Sequence, residues 1–205
     1  CIRDRLCTVQ PMAALIRYLT HPQVRIDPEI PVPNWELSEE GRARAHALSK
    51  APWLKTTSRI VSSAERKSIE TAEIVAAALQ LDVEVRAGMN ENDRSSTGFL
   101  PPAEFEVVAN EFFAHPNVSV RGWERAMDAQ SRIVGEVEHL LVQELDADML
   151  IVGHGGVGTL LLCLHLGLAI ARAHDQPSGG GNYFSLTQAG RVLHTWRPLE
   201  MPPDL

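Results

Sequence analysis

Met149-Leu150-Ile151-Val152-Gly153-His154-Gly155-Gly156-Val157-Gly158 decides how this chain is read. Its short apolar run has the length of a buried strand and stops at a histidine. Thr159-Leu160-Leu161-Leu162 then reads as the start of a helix. A strand that turns directly into a helix is the repeating unit of an α/β sheet. Ligands of such sheets gather at the carboxyl ends of the strands, where helix N–H groups can face an anion. His154 therefore stands where chemistry is usually done. Two incompatible readings share these letters. Gly153-x-Gly155-x-x-Gly158 satisfies a dinucleotide-binding fingerprint, and strand-His-Gly-Gly suits a phosphate-binding histidine.

Outward from this stretch, strand and helix signals alternate. Ala13 to Thr20 reads as a strand, followed by a loop carrying Pro22, Pro28, Pro31 and Pro33. Ser38-Glu39-Glu40 caps a helix to about Lys50, with acids in its first turn. Arg59 to Ser62 is a short strand, Ala64 to Leu79 a helix with Ile69, Ala72, Ile74, Val75 and Leu79 on one face, and Asp82 to Arg86 another strand. Gly88 to Val120 looks inserted, with a helix near Pro102 to Ala114. Trp123 to Leu145 is a long amphipathic helix. After the His154 unit, a Ser178-Gly179-Gly180-Gly181 linker leads to a hairpin, Tyr183 to Thr187 and Arg191 to Trp196. The alternation predicts a three-layer α/β/α domain around a mostly parallel central sheet.

Composition limits the functions. The 205 residues are 44% hydrophobic, enough for one core, so a single domain over 12–205 is expected. Residues 1–11 lack the apolar core of a signal peptide, and Met12 precedes the first strand-like run. That tail is expected to be extra and mobile. A net charge of −7 argues against a nucleic-acid binder. The longest apolar run, Val157 to Ile170, is broken by His165 and Gly167 and is short for a membrane span. Cys1, Cys7 and Cys163 suit a reducing cytoplasm better than a disulfide framework, and no spacing names a metal.

The two readings make different demands elsewhere in the chain. A dinucleotide fold usually places its glycines in the first βα turn, with an acid about 20 positions on at a strand end. Here the glycines fall late, and Asp175 lies in a polar loop. A phosphate site instead needs complementary groups at other strand ends, and the first strand also ends in a histidine, in Thr20-His21-Pro22-Gln23. A neutral imidazole can attack phosphorus while a second histidine holds its oxygens. Ser62-Ser63-Ala64-Glu65-Arg66-Lys67 would bring hydroxyls, helix N–H groups and cations, and Asn90-Glu91-Asn92-Asp93 carboxylates for proton transfer. His115, His139, His165, His174 and His194 are most simply core or surface residues.

In chain order these blocks resemble the histidine phosphatase (phosphoglycerate mutase-like) superfamily. Thr20-His21-Pro22-Gln23 takes the place of its Arg-His-Gly-Glu, and Leu37-Ser38-Glu39-Glu40-Gly41 resembles its Leu-Thr-Glu-x-Gly. Ser62 to Ala72 resembles Ser-Ser-Pro-x-x-Arg-Ala-x-x-Thr-Ala, Trp123-Glu124 through Arg132 its Gly-Glu-Ser helix, and Gly153-His154-Gly155-Gly156 matches best. The resemblance implies a phosphoglycerate mutase-like fold and a phosphohistidine mechanism without cofactor or metal. His21 would attack phosphorus, His154 would hold the equatorial oxygens, and Glu91 would protonate the leaving oxygen. Thr20, Ser63, Arg66, Lys67 and Gly155 would line the phosphate.

Three positions depart from the family pattern: Thr20 and Lys67 stand for arginines, and Pro22 for a glycine. Lysine is a point charge where arginine offers a planar two-pronged donor. The leading expectation is a cytoplasmic phosphatase of a small phosphorylated substrate, with no nucleic-acid or membrane partner and an oligomeric state left open between monomer and homodimer. A catalytically weak phosphate-binding member is the first alternative. A phosphoglycerate mutase and a dinucleotide-dependent oxidoreductase follow.

Overall fold

The structure, a computed structural model, describes residues 14–203. The tail expectation for residues 1–11, and Met12 with it, lies outside the described residues. Six strands form one sheet in the order β3-β2-β4-β1-β5-β6: β1 Leu15–Thr20, β2 Thr57–Ser63, β3 Val83–Arg86, β4 Asp148–Gly153, β5 Asn182–Thr187 and β6 Val192–Pro198. Strands β3, β2, β4 and β1 pair in parallel, and the β5–β6 hairpin adds to β1 antiparallel. This is the mostly parallel α/β architecture expected.

Strand alternation divides the core into two layers. Ile16, Tyr18, Val61, Met149 and Ile151 point to one face, which α3 (Pro102–Ala114), α4 (Ala126–Leu141) and α5 (Gly155–Leu166) cover. Leu19, Ile60, Leu150 and Val152 point to the other, under α1 (Glu39–Leu48) and α2 (Arg66–Leu79). Strands buried on both faces become apolar without interruption, which is why β4 is such a clear signal. Arg17, on the α2 side, pairs with Asp148 at 2.6 Å at the amino end of β4, far along the strand from His154. It supplies no cation to the carboxyl edge.

Helix boundaries shift from the sequence reading, most of all at α5 and at α4, which also ends at Leu141 rather than Leu145. α5 begins at Gly155, four residues before Thr159, so Gly155, Gly156 and Gly158 belong to its first turn. α4 begins only at Ala126, because Trp123 leaves the helical path to pack against Phe105 and Phe112. In α1, Ser38 caps as expected, its Oγ accepting from the Gly41 N–H at 3.0 Å. A Cβ on Gly41 would overlap the Gln23 carbonyl, so this glycine lets the loop after β1 lie directly on the helix.

Candidate active site

β1 and β4 are neighbouring parallel strands with Thr20 opposite Gly153. His21 and His154 come next in each strand, and the His21 N–H continues the ladder to the Gly153 carbonyl at 3.1 Å. The two imidazoles therefore emerge side by side at the carboxyl edge, ring centroids 5.2 Å apart and edge-to-face at 66°.

His21 Nδ1 lies 2.8 Å from the Pro22 carbonyl oxygen. A carbonyl can only accept, so Nδ1 carries the proton and Nε2 keeps its lone pair. Burial, and next the Lys67 ammonium, lower the His21 pKa to about 4, which keeps the ring neutral at physiological pH. The same two causes hold His154 well below its ordinary value. His154 is fully enclosed. Its Nε2 meets the Ser63 hydroxyl at 2.6 Å, and its Nδ1 is buried with no hydrogen-bond partner among the described residues.

The glycines around His154 answer to protein atoms. Added Cβ atoms would overlap the Tyr18 hydroxyl at Gly153 and the Gln176 amide at Gly155. At Gly156 the Cβ would sit 2.6 Å from Glu91 Oε1, and at Gly158 it would sit 2.5 Å from the Tyr18 ring and 2.9 Å from Trp196. The three glycines of the fingerprint thus each answer to a protein neighbour of their own, and the dinucleotide reading has no cradle left to it. Tyr18 occupies much of that space. Its phenol donates to the His154 carbonyl and accepts from the His154 N–H, both at 3.1 Å, which pins the backbone that carries the imidazole.

Glu91 fills the N-terminus of α5. Its carboxylate accepts from the N–H groups of Gly156 at 3.0 Å and Val157 at 2.9 Å. Burial opposes its charge, yet Arg94, His154 and the Gly156 N–H together hold its pKa below the ordinary carboxylate value. Glu91 is therefore ionised at neutral pH. Arg132 anchors the loop that presents it, donating to the carbonyls of Gly88 and Asn90 at 2.8 Å while pairing with Glu124 at 2.7 Å.

The model of the histidine phosphatase superfamily (branch 1) matches residues 28–197. The chain belongs to this superfamily. A comparison with curated proteins finds no match. Among solved structures, a mycobacterial glucosyl-3-phosphoglycerate phosphatase with inorganic phosphate is 22% identical, with a TM-score of 0.76 over 93% of this chain and all of that one. YhfR of Bacillus stearothermophilus is 20% identical, with a TM-score of 0.74 over 89% of this chain and 95% of its own. A phosphoserine phosphatase of Entamoeba histolytica is 14% identical, with a TM-score of 0.71 over 90% and 97%.

Within this superfamily fold, His21, His154, Ser63, Lys67, Glu91 and Gly155 converge at the carboxyl edge, and two other expected residues do not offer free phosphate contacts. The Arg66 side chain is 55% exposed and engages Glu36 at 2.6 Å and Glu70 at 3.2 Å, on the outer face of α2. The Thr20 hydroxyl is buried and committed, donating to Gln176 at 2.7 Å and accepting from the Asn182 N–H at 3.0 Å. It fastens the end of β1 to β5 where a guanidinium was expected. Lys67 does reach the pocket, but its ammonium is spoken for by the Glu65 carboxylate and the Val32 carbonyl, the latter at 3.0 Å.

Glu65, Tyr18, Gln176, Arg94 and the Gly180-Gly181 turn were not singled out by sequence reasoning. Gly180 and Gly181 have φ of +66° and +64° and lie on His21, whose carbonyl accepts from the Gly181 N–H at 2.9 Å. The expected linker is a bracket for the first histidine. Its run of glycines, unusual directly before a strand, was the available signal.

Proposed function

We propose that this chain is a phosphatase that hydrolyses a small phosphomonoester through a phosphohistidine on His21. The carrying observation is the His21 ring itself: neutral, proton on Nδ1, lone pair on Nε2, and 5.2 Å between its centroid and that of His154. Relatives named as phosphatases of glucosyl-3-phosphoglycerate and of phosphoserine support the reading. Nε2 attacks phosphorus and the bond to the leaving oxygen breaks. The Nδ1 of His154, unpartnered among the described residues, is available to donate to a phosphoryl oxygen while its Nε2 accepts from the Ser63 hydroxyl. The ionised Glu91 relays a proton from solvent to the leaving oxygen; water then cleaves the phosphorus–nitrogen bond and gives its proton to Glu91, which returns it to solvent. The reading includes a cytoplasmic setting, in keeping with the scattered cysteines.

Quenching in alkaline detergent during turnover of radiolabelled p-nitrophenyl phosphate tests it. A base-stable phosphohistidine should form on the wild-type protein. His21→Ala should lose both the label and turnover, on the order of 10³-fold or more. Undiminished turnover in His21→Ala would overturn the mechanism. One observation favours a second reading, a phosphate-binding member with weak or no catalysis: Lys67, which stands for a family arginine, is neutralised by Glu65. Vanadate binding without turnover would select it.

A further inference from the structure

Glu65 and Glu91 join the superfamily site to a cleft of about 720 Å³ lined by the 28–33 and 90–95 loops. Its charge is the reverse of what a bare phosphate dianion wants. Glu29, Glu65, Glu91, Asp93 and Glu124 line it, against Arg94 and Arg132, and Arg132 is already held by Glu124. Ile30, Val32 and Phe99 supply apolar walls, so these charges act with less screening than on an open surface.

Glu65 is the centre of this reversal. It is 4% exposed, its Oε2 takes the Lys67 ammonium, and its Oε1 accepts the Glu91 N–H at 2.9 Å while lying 3.7 Å from His154 Nε2. The one carboxylate thus spends the pocket lysine and adds a negative charge beside both catalytic candidates. An independent feature marks the cleft as built for a polar occupant. Asn92 lines it, is 6% exposed, and its Nδ2 has no hydrogen-bond partner among the described residues. A buried amide is normally paired, with protein, water, an ion or a ligand, so Asn92 Nδ2 has room for a polar partner here.

We infer that Glu65 sets charge selectivity, and that the substrate is a phosphorylated compound bearing its own cationic group, an amine or guanidinium on a short apolar body. The substrate cation pairs with Glu65 and the acidic cleft. Lys67, released from Glu65, turns to the phosphoryl oxygens. This inference rests on the phosphatase reading for the phosphoryl position but is tested by binding, apart from turnover.

Calorimetric titration with aminopropylphosphonate and with propylphosphonate, neither hydrolysable, compares the two charge states on one body. Wild-type protein should bind the amine at least about tenfold more tightly. In Glu65→Gln the preference should collapse, chiefly because propylphosphonate binds better. Equal affinities in the wild type, binding of neither probe, or an undiminished preference in Glu65→Gln would each overturn the inference. The wild-type pair decides alone if Glu65→Gln does not fold. Preference for the amine without turnover of the matching phosphate ester sinks the phosphatase reading and leaves this one. Turnover of both esters with no binding preference does the opposite.

Discussion

Two strand-to-helix junctions face each other across the site, and they are built on opposite principles. At β4–α5, four of residues 153–158 are glycines, and a methyl added to any of them would strike a neighbour. At β2–α2, residues 63–68 are polar apart from Ala64, and three carry formal charges: Glu65, Arg66 and Lys67. Each junction also keeps a protein carboxylate near its helix start, Glu91 at α5 and Glu65 at α2. The first junction fixes position by packing and the second fixes electrostatics by pairing. Substitutions in the first should cost stability through overpacking, and in the second through stranded charge.

The largest effect is expected at the second. Lys67→Met leaves Glu65 buried without its cation and should cost about 3–5 kcal/mol in denaturant unfolding. The double variant Glu65→Leu/Lys67→Met should recover most of that loss. If the single and double variants are equally unstable, the junction is held by shape as the other one is. Gly158→Ala comes next, because its new methyl meets two ring systems that are themselves packed, and about 3 kcal/mol is expected. A smaller loss, about 2 kcal/mol, should follow Tyr18→Phe, which strips partners from the buried N–H and C=O of His154. A Tyr18→Phe protein as stable as wild type would show that water substitutes freely there.

A slope with pH comes last. The unfolded chain protonates histidine near 6.5, whereas folded His21 resists until about 4 and His154 lies well below its ordinary value. Between those limits the unfolded state binds more protons, so stability is full above pH 6.5 and falls as pH drops toward 4. Urea midpoints of wild type and His21→Asn, taken from pH 7 to 4.5, should converge on acidification. Parallel curves would mean that His21 is not held neutral.

The same contrast explains what could be read from the chain. Packing leaves marks in residue type: the apolar β4 run, the glycines after it and the capping Ser38 all point to their structural roles. Pairing leaves far weaker marks. Glu65 and Lys67 are two apart, and on a helix such neighbours do not face each other. They meet because Glu65 is the N-cap, with extended backbone at φ −79° and ψ 139°, so its side chain leaves the helical spacing. Arg66, next to the position where the family carries an arginine, turns outward to Glu36 and Glu70. Thr20 was legible as a strand end but not as a fastener, since its partners Gln176 and Asn182 lie more than 150 residues away.

The register of β1 on β4 has one more consequence. Because Thr20 faces Gly153, the interval between the two imidazoles is inherited from the ladder, whose strands lie about 4.8 Å apart. It is a yardstick made of peptide hydrogen bonds. Side-chain exchange nearby can retune the charge or depth of the site, yet it leaves that interval untouched. Slipping either strand by one residue would instead turn its histidine to the opposite face of the sheet. The span a ligand must bridge is thus a property of the backbone.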